Sequence, residues 1–339
     1  MRNGKFGCAV WGCGWVAGGH INAYLNDPEC ELVGLGSRSK ESIQKKQAEF
    51  GLHDITVYNS FEALLNDPAV DIVSICTPND LHAAEAMAAA KAGKHIFLEK
   101  PAAVNAEQLD QLYTTVKEYR TKTMMGLVLR FNPLTVMQQR LISEGELGEI
   151  YLANVDYWFG RERGSWMKEG KRSGGAFVLG GCHSVDLACH LMRCKITAVR
   201  GEALQAGSWY DYPAVETAQV RFSNGAAGVF SCSLAGCVPY TANTHIIGEK
   251  GTILNDRFYL ERFRGQQDFF TVDTGVKKSG DVYSHPFPAM VRDFVTALKE
   301  DRDSTCNLES ALNSHRACFA ICRSAANGGN WIELPDARD

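Results

Sequence analysis

No stretch of this 339-residue chain reads as a membrane span. The nearest candidate is residues 222–248, which contain no Asp, Glu, Lys or Arg, but Asn224, Pro239, Asn243 and His245 interrupt it too often for a run of about 20 apolar residues. An excess of one charge is also missing: 35 Lys and Arg stand against 39 Asp and Glu, a net charge of −4. No Lys/Arg block interleaves with aromatics, so the footprint that a phosphate backbone requires is absent and nucleic acid is not an expected partner. Twelve cysteines are present without a single C-x-x-C pair. They are scattered through apolar segments (Cys8, Cys13, Cys76, Cys318, Cys322), which points to buried thiols in a reducing, cytoplasmic setting. Internal repeats, low-complexity tracts and long linkers are lacking too. The opening residues pair a basic start with an apolar run, but their glycine content and their continuation suit a strand and loop better than a cleaved leader.

What is present is ordinary globular composition, 45% hydrophobic and 22% charged, in a chain longer than the roughly 250–300 residues that one core supports. Two domains are expected. Residues 5–11, 31–36, 56–58, 70–77 and 95–99 read as strands alternating with helical stretches, the pattern of a parallel sheet. Ser39 is placed to cap a helix ending before Gly51, and Asn105 with Gln108 forms a capping-box pattern ahead of Leu109, Leu112 and Val116. Beyond Met124 the pattern changes to strand-like runs at 151–157, 217–222 and 226–233, with Asn224-Gly225 as a hairpin signal. The expectation is an α/β Rossmann domain over 1–124, then an α+β domain over 125–339 with a large, mostly antiparallel open sheet. The uncharged run 226–238 suggests that one face of this sheet is too apolar for water, hence a homodimer or homotetramer.

Strand 5–11 runs directly into Gly12-Cys-Gly14-Trp15-Val16-Ala17, a G-x-G-x-x-A turn that opens a helix. Gly12 permits the tight turn, Gly14 lets a pyrophosphate approach the backbone, and N–H groups at the helix start, including those of Trp15 and Val16, bind phosphate. At the end of the second strand, where an Asp or Glu usually meets the ribose, the chain carries Ser37 and Arg38. A hydroxyl and a guanidinium suit a 2′-phosphate, so the expected cofactor is NAD(P) with a lean to NADP. The alternative is that Ser39 caps the next helix and Arg38 is solvated, which leaves NAD open.

Gly12-x-Gly14 with His20, Thr77-Pro78-Asn79-Asp80-Leu81-His82, Glu99-Lys100-Pro101 and Leu129-Arg130-Phe131-Asn132-Pro133 follow one another in order. With Gly174-Gly175 through His183-Ser-Val-Asp186, and Ile247-Gly248-x-x-Gly251, they resemble the glucose-fructose oxidoreductase, inositol dehydrogenase and rhizopine-catabolism (Gfo/Idh/MocA) family over essentially the whole chain. The resemblance implies that Thr77, Pro78, Asn79 and His82 lie beside the cofactor and that Glu99 and Lys100 face the nicotinamide pocket. Read alone, each of these segments is an ordinary helix entry or strand exit.

Oxidising a secondary alcohol needs a group that takes the hydroxyl proton and a cation that stabilises the developing alkoxide. His183 suits the first task and Lys100 the second, with the reverse assignment open. Family members commonly carry Asp four residues before this histidine, where this chain has Leu179. Asp186, three residues beyond His183, would share its helical face and orient the imidazole, or else stabilise a helix start. Arg130, Tyr157, Trp166 and His285 are the candidate substrate contacts, His285 with capping or packing as its alternative. Trp158, Arg161, Arg163 and Trp166 form an aromatic-basic loop that either closes over cofactor and sugar or meets a second copy. The i, i+7 histidines His183 and His190, with irregular cysteines nearby, match no tetrahedral zinc spacing, so no metal is expected. The Gly-Cys-His variant and Ser284-His285-Pro286-Phe287 are similar to family members that oxidise ring hydroxyls of glycosides, at the 3-position among others. The implied substrate is therefore a sugar, glycoside or polyol. Two other functions compete: a redox-neutral NAD-dependent glycosidase that retains its cofactor, and a non-enzymatic cofactor-sensing regulator of the same fold, against which Lys100 and His183 speak.

Overall fold

The computed structural model describes residues 4–160, 164–275 and 282–335, so Arg161 and Arg163 of the aromatic-basic loop lie outside the described residues. The chain forms two compact units, residues 1–128 with 280–311 and residues 129–279 with 312–339.

In chain order, the first unit begins with β1 (Phe6–Trp11), α1 (Ala17–Asn26), β2 (Cys30–Gly36), α2 (Lys40–Phe50), β3 (Thr56–Tyr58), α3 (Phe61–Leu65), β4 (Ile72–Ile75), α4 (Asn79–Lys91), β5 (His95–Leu98), α5 (Ala106–Glu118) and β6 (Thr123–Met125). The six strands are parallel in the order β3-β2-β1-β4-β5-β6. The order reverses between β1 and β4, the switch point outside which doubly wound sheets bind ligands. Every residue of β1 and of β4 is buried, as expected of strands covered on both faces. Ser39 does cap α2, accepting from Ser42 N–H, and Gly51 ends it in the left-handed region at φ +68°. Asn105 caps α5 by accepting from Gln108 N–H, while Gln108 Oε1 accepts from Val104 N–H at 3.3 Å. Strand β6 is not visible in the sequence pattern because three residues carry no period. Distant chain fixes it: Ser304 Oγ donates to Thr123 O, Met125 N–H to Cys306 O and Leu308 N–H to Thr123 Oγ1.

The second unit holds α6 (Pro133–Ser143), β7 (Ile150–Trp158), the single-turn α7 (Gly170–Ser173), a π-helical turn (Phe177–Gly181), α8 (Cys182–Met192), β8 (Ile196–Leu204), β9 (Val215–Phe222), β10 (Ala227–Ser233), β11 (Thr241–Gly248), β12 (Gly251–Leu254), β13 (Arg257–Leu260) and β14 (Phe270–Thr271). The chain then gives α9 (Phe287–Lys299) to the first unit, α10 (Leu308–Ala326) across the boundary at 311/312, and β15 (Ile332–Glu333) to the second. Helix α9 lies against α1, where a Cβ on Gly19 would stand 2.4 Å from the Phe287 ring.

Among the described residues the second sheet has nine strands in the order β14-β13-β12-β11-β7-β10-β9-β8-β15, antiparallel except for β7 beside β10. The Asn224-Gly225 hairpin forms between β9 and β10, with Gly225 at φ +88°. The core packs α8 and part of α10 onto one face through Val185, Leu191, Phe230, Ile246 and Ile321. The uncharged run 226–238 is not one apolar face. Strand β10 is central, so it alternates: Phe230, Cys232 and Leu234 enter the core, while Val229, Ser231 and Ser233 take the other side. That side carries a polar ladder in which Trp158 Nε1 donates to Ser231 Oγ at 2.7 Å, Ser231 Oγ to Asp156 Oδ1 at 2.6 Å and Asn243 Nδ2 to Asp156 Oδ2 at 3.3 Å.

Candidate active site

Gly12 ends β1 at φ +94°, and a Cβ there would stand 2.6 Å from the Cys76 carbonyl and 2.8 Å from Thr77 N. Only glycine allows the loop to turn this tightly against the end of β4. At Gly14 nothing lies within 4 Å of the corresponding Cβ position, which leaves that backbone open to a ligand. Val16 precedes α1 without a side-chain cap, and no side chain among the described residues occupies the N–H groups of the first turn. This loop therefore fits a dinucleotide pyrophosphate. Cys13 between the glycines is buried, which pushes its thiol up to about 12 against the charge of Lys46. Trp15 is 59% exposed, and His285 meets its edge at 6.0 Å between ring centres. His285, expected at the substrate, is thus packed on the cofactor loop within the first unit.

At the end of β2, Ser37 Oγ accepts from Ser39 N–H at 3.3 Å and from Ser42 Oγ at 3.1 Å. Arg38 is exposed and makes no hydrogen bond or ion pair among the described residues. At the end of β4, Pro78 sits before α4 in extended geometry, and Asn79 is buried. His82 bridges Pro101 O at 2.7 Å and Thr77 O at 2.8 Å, tying the loop after β4 to the loop after β5. Glu85, which the sequence did not single out within its alanine-rich helix, accepts from Trp11 Nε1 at 2.9 Å and from Thr77 Oγ1 at 2.5 Å. Burial raises the Glu85 carboxyl, against the opposing hydrogen bonds of Thr77 and Trp11 and the charges of His82 and Arg38.

At the end of β5 a buried chain of polar groups converges on Glu99. Tyr24 OH meets Ser74 Oγ at 2.7 Å, Ser74 meets His20 Nδ1 at 2.9 Å, and His20 Nε2 meets Glu99 Oε1 at 2.9 Å. Burial pushes the Glu99 carboxyl up, but the bond and charge of His20, with Lys100 and His82, outweigh it and hold it below its ordinary value. Glu99 Oε2 also accepts from Lys100 N–H at 3.3 Å. His20 belonged to the glycine motif in the sequence, but its partners were not legible there.

In the second unit the π-turn leads straight into His183. Glu216 Oε2 accepts Phe177 N–H at 2.8 Å and pins the start of the turn; burial raises this carboxyl too. A Cβ on Gly180 would stand 2.9 Å from the Tyr157 ring, so glycine lets the turn lie on that tyrosine. His183, itself buried, stacks on Tyr157 at 5.6 Å and 28°. Leu179, at the position where family members commonly carry Asp, is buried in the hydrophobic core. Trp166 is half-buried at the margin of the same core.

Asp186 does not orient the imidazole. Its Oδ2 accepts Arg130 Nε at 2.7 Å, and its Oδ1 accepts Arg130 Nη2 at 2.6 Å and Ser314 Oγ at 2.9 Å. Nor does it stabilise a helix start, because the first turn of α8 holds no acidic residue. Arg130, expected at the substrate, spends this fork on Asp186, with both side chains nearly inaccessible. A buried carboxylate needs full pairing, and the guanidinium fork supplies it better than one imidazole N–H. No group of three or more His, Cys, Asp or Glu among the described residues is placed to hold a metal ion. No helix among them is long and apolar enough to cross a membrane.

A doubly wound parallel sheet with an open glycine loop at its switch point defines a dinucleotide-binding protein. The oxidoreductase family with NAD-binding Rossmann fold matches residues 6–127, and the GFO/IDH/MocA C-terminal domain matches residues 136–254. The chain belongs to the Gfo/Idh/MocA oxidoreductase family. It is similar to the scyllo-inositol 2-dehydrogenase (NAD(+)) of Bacillus subtilis, 29% identical over 91% of this chain and 94% of that protein. It is also similar to the levoglucosan dehydrogenase of Pseudarthrobacter phenanthrenivorans, 27% identical over 89% of each chain. Its fold matches the WlbA dehydrogenase of Bordetella pertussis, solved with NADH and UDP-GlcNAcA, at a TM-score of 0.84 and 23% identity over 99% of both chains.

Proposed function

We propose that the protein is an NAD(P)-dependent dehydrogenase acting on a ring hydroxyl of a sugar, glycoside or polyol, with a lean to NADP. The relatives named for scyllo-inositol and levoglucosan support a cyclic polyhydroxylated substrate. When bound, the nicotinamide supplies the hydride acceptor or donor. The open backbone at Gly14 and the N–H groups of Trp15 and Val16 hold the pyrophosphate, and Ser37 and Arg38 hold the 2′-phosphate. Thr77, Pro78, Asn79 and His82 shape the loop beside the cofactor. His183 takes the hydroxyl proton, and the Lys100 ammonium stabilises the alkoxide. Tyr157, stacked on His183, and Trp166 bound the sugar, while Asp186 and Arg130 position α8 rather than touch substrate. The observation that carries this reading is the buried Tyr24–Ser74–His20–Glu99 chain, which places an ionised carboxylate at the backbone of Lys100 at the carboxyl end of β5. We also assign a homodimer or homotetramer built through the open side of the nine-stranded sheet, where Val229 and Ile247 are exposed.

The test is turnover by wild type, Lys100→Ala and His183→Ala on a panel of sugars, glycosides and polyols, read as reduced nicotinamide, beside coenzyme Kd. Each variant is expected to lose about 100-fold or more in turnover with Kd within about twofold, since both groups work at the reacting hydroxyl. Near-normal turnover in either overturns its assignment.

A further inference from the structure

The end of β2 carries no carboxylate, while Glu85 of α4 is bonded to Trp11 at the end of the neighbouring strand β1. A doubly wound fold presents the adenosine ribose to the end of β2, and the residues there, Gly36, Ser37 and Arg38, bring no acid. The indole of Trp11 lies on this corner, its ring atoms 2.4 and 2.6 Å from where a Cβ on Gly36 would stand. Behind the indole, Trp11 Nε1 and Thr77 Oγ1 grip the two oxygens of Glu85 at 2.9 and 2.5 Å. The acid is thus fixed at the ends of β1 and β4, one indole away from the end of β2.

We infer that Glu85 is a specificity-determining residue of the adenosine end, a fixed negative charge that holds back the 2′-phosphorylated coenzyme relative to the unphosphorylated one. Both donors gripping Glu85 are neutral, and no ion pair within 4 Å joins it to a cation among the described residues. The two donors therefore fix the carboxylate in place without a direct ion pair. Arg38 stands two residues beyond Gly36, against which the Trp11 indole that donates to Glu85 is packed. A 2′-phosphate seated on Arg38 gains from the guanidinium and loses to the carboxylate; a 2′-hydroxyl loses little to either. Cofactor choice at this corner is then a difference of two charge effects, and Glu85 moderates the preference that Arg38 creates. The inference rests on the proposed dinucleotide site and its 2′-phosphate contact.

The experiment measures Kd for NADPH and NADH by fluorescence titration of the intact protein, with Glu85→Gln, Glu85→Ala and Arg38→Ala, each checked for a normal melting curve. Glutamine keeps the size and the acceptor for Trp11 while removing the charge. Removing a unit charge within about a Debye length of a phosphate is worth a few-fold in binding. Glu85→Gln is expected to tighten NADPH by about 3- to 10-fold and to leave NADH within about twofold. Glu85→Ala also loses the acceptors for Trp11 and Thr77, an effect shared by both coenzymes, so the NADPH to NADH ratio moves the same way as in Glu85→Gln. An unchanged ratio in both Glu85 variants overturns the inference. Arg38→Ala separately decides the reading beneath it: weakening of NADPH alone upholds the 2′-phosphate contact, and equal weakening of both coenzymes removes it.

Discussion

Replacing Asp186 by Ala removes the two-pronged carboxylate partner of a buried guanidinium inside the second unit. The Arg130 and Asp186 side chains are only 6% and 2% exposed, and they meet through a two-pronged fork of 2.7 and 2.6 Å. Ser314 donates to the same carboxylate at 2.9 Å. Deleting the acid leaves a buried guanidinium and removes an acceptor from a buried hydroxyl. Breaking one side of a buried pair costs about 3–5 kcal/mol, whereas replacing both partners by apolar groups of similar volume is often neutral. Asp186→Ala should therefore lower the unfolding free energy by about 3–5 kcal/mol, and the double change Arg130→Met with Asp186→Leu should recover most of that loss. Urea unfolding followed by tryptophan fluorescence measures both. A single-variant loss under about 1 kcal/mol would refute the claim that the pair is buried and mutually dependent. Kinetics separate positioning from orientation: Asp186→Asn should lower turnover without moving its pH profile. A shifted profile would return Asp186 to the imidazole.

Burial, with the charge of Arg130, pushes His190 down to about 4, so the folded protein keeps it neutral while the unfolded chain takes up a proton near pH 6.5. Stability is then lost as pH falls from about 6.5 towards 4, by about 1–3 kcal/mol for this group, and His190→Gln should lose correspondingly less over that interval in parallel urea titrations. If wild type and variant fall by the same amount, His190 is not held neutral in the folded state. Light scattering at micromolar concentration tests the assembly, for which a multiple of the 37.3 kDa chain mass is expected and a value near one chain rules the oligomer out.

The parts of the fold legible in the sequence are those decided within a few residues. Gly12 announces a positive φ, Ser39 and Asn105 announce helix starts, and Asn224-Gly225 announces a hairpin, each because neighbouring backbone sets the requirement. Strand β6 was hidden because its hydrogen bonds come from Ser304, Cys306 and Leu308, about 180 residues away. The site divides in the same way. The glycine loop and the strand ends bearing Thr77 and Lys100 follow from local pattern, but the fates of the acids do not. Helical spacing put Asp186 beside His183, yet its charge went to Arg130, 56 residues earlier. Glu85 looked like one polar residue in an alanine-rich helix, yet it reaches Trp11, 74 residues earlier. Sharing a helix face makes two groups eligible to meet, but it does not supply the free energy that settles a charge withdrawn from water. That comes from the best-shaped donor the tertiary fold brings within reach, and for both acids the donor lies on another element. In a fold of this kind, then, acids on helices are the residues whose roles most need the structure, while glycines and caps least do.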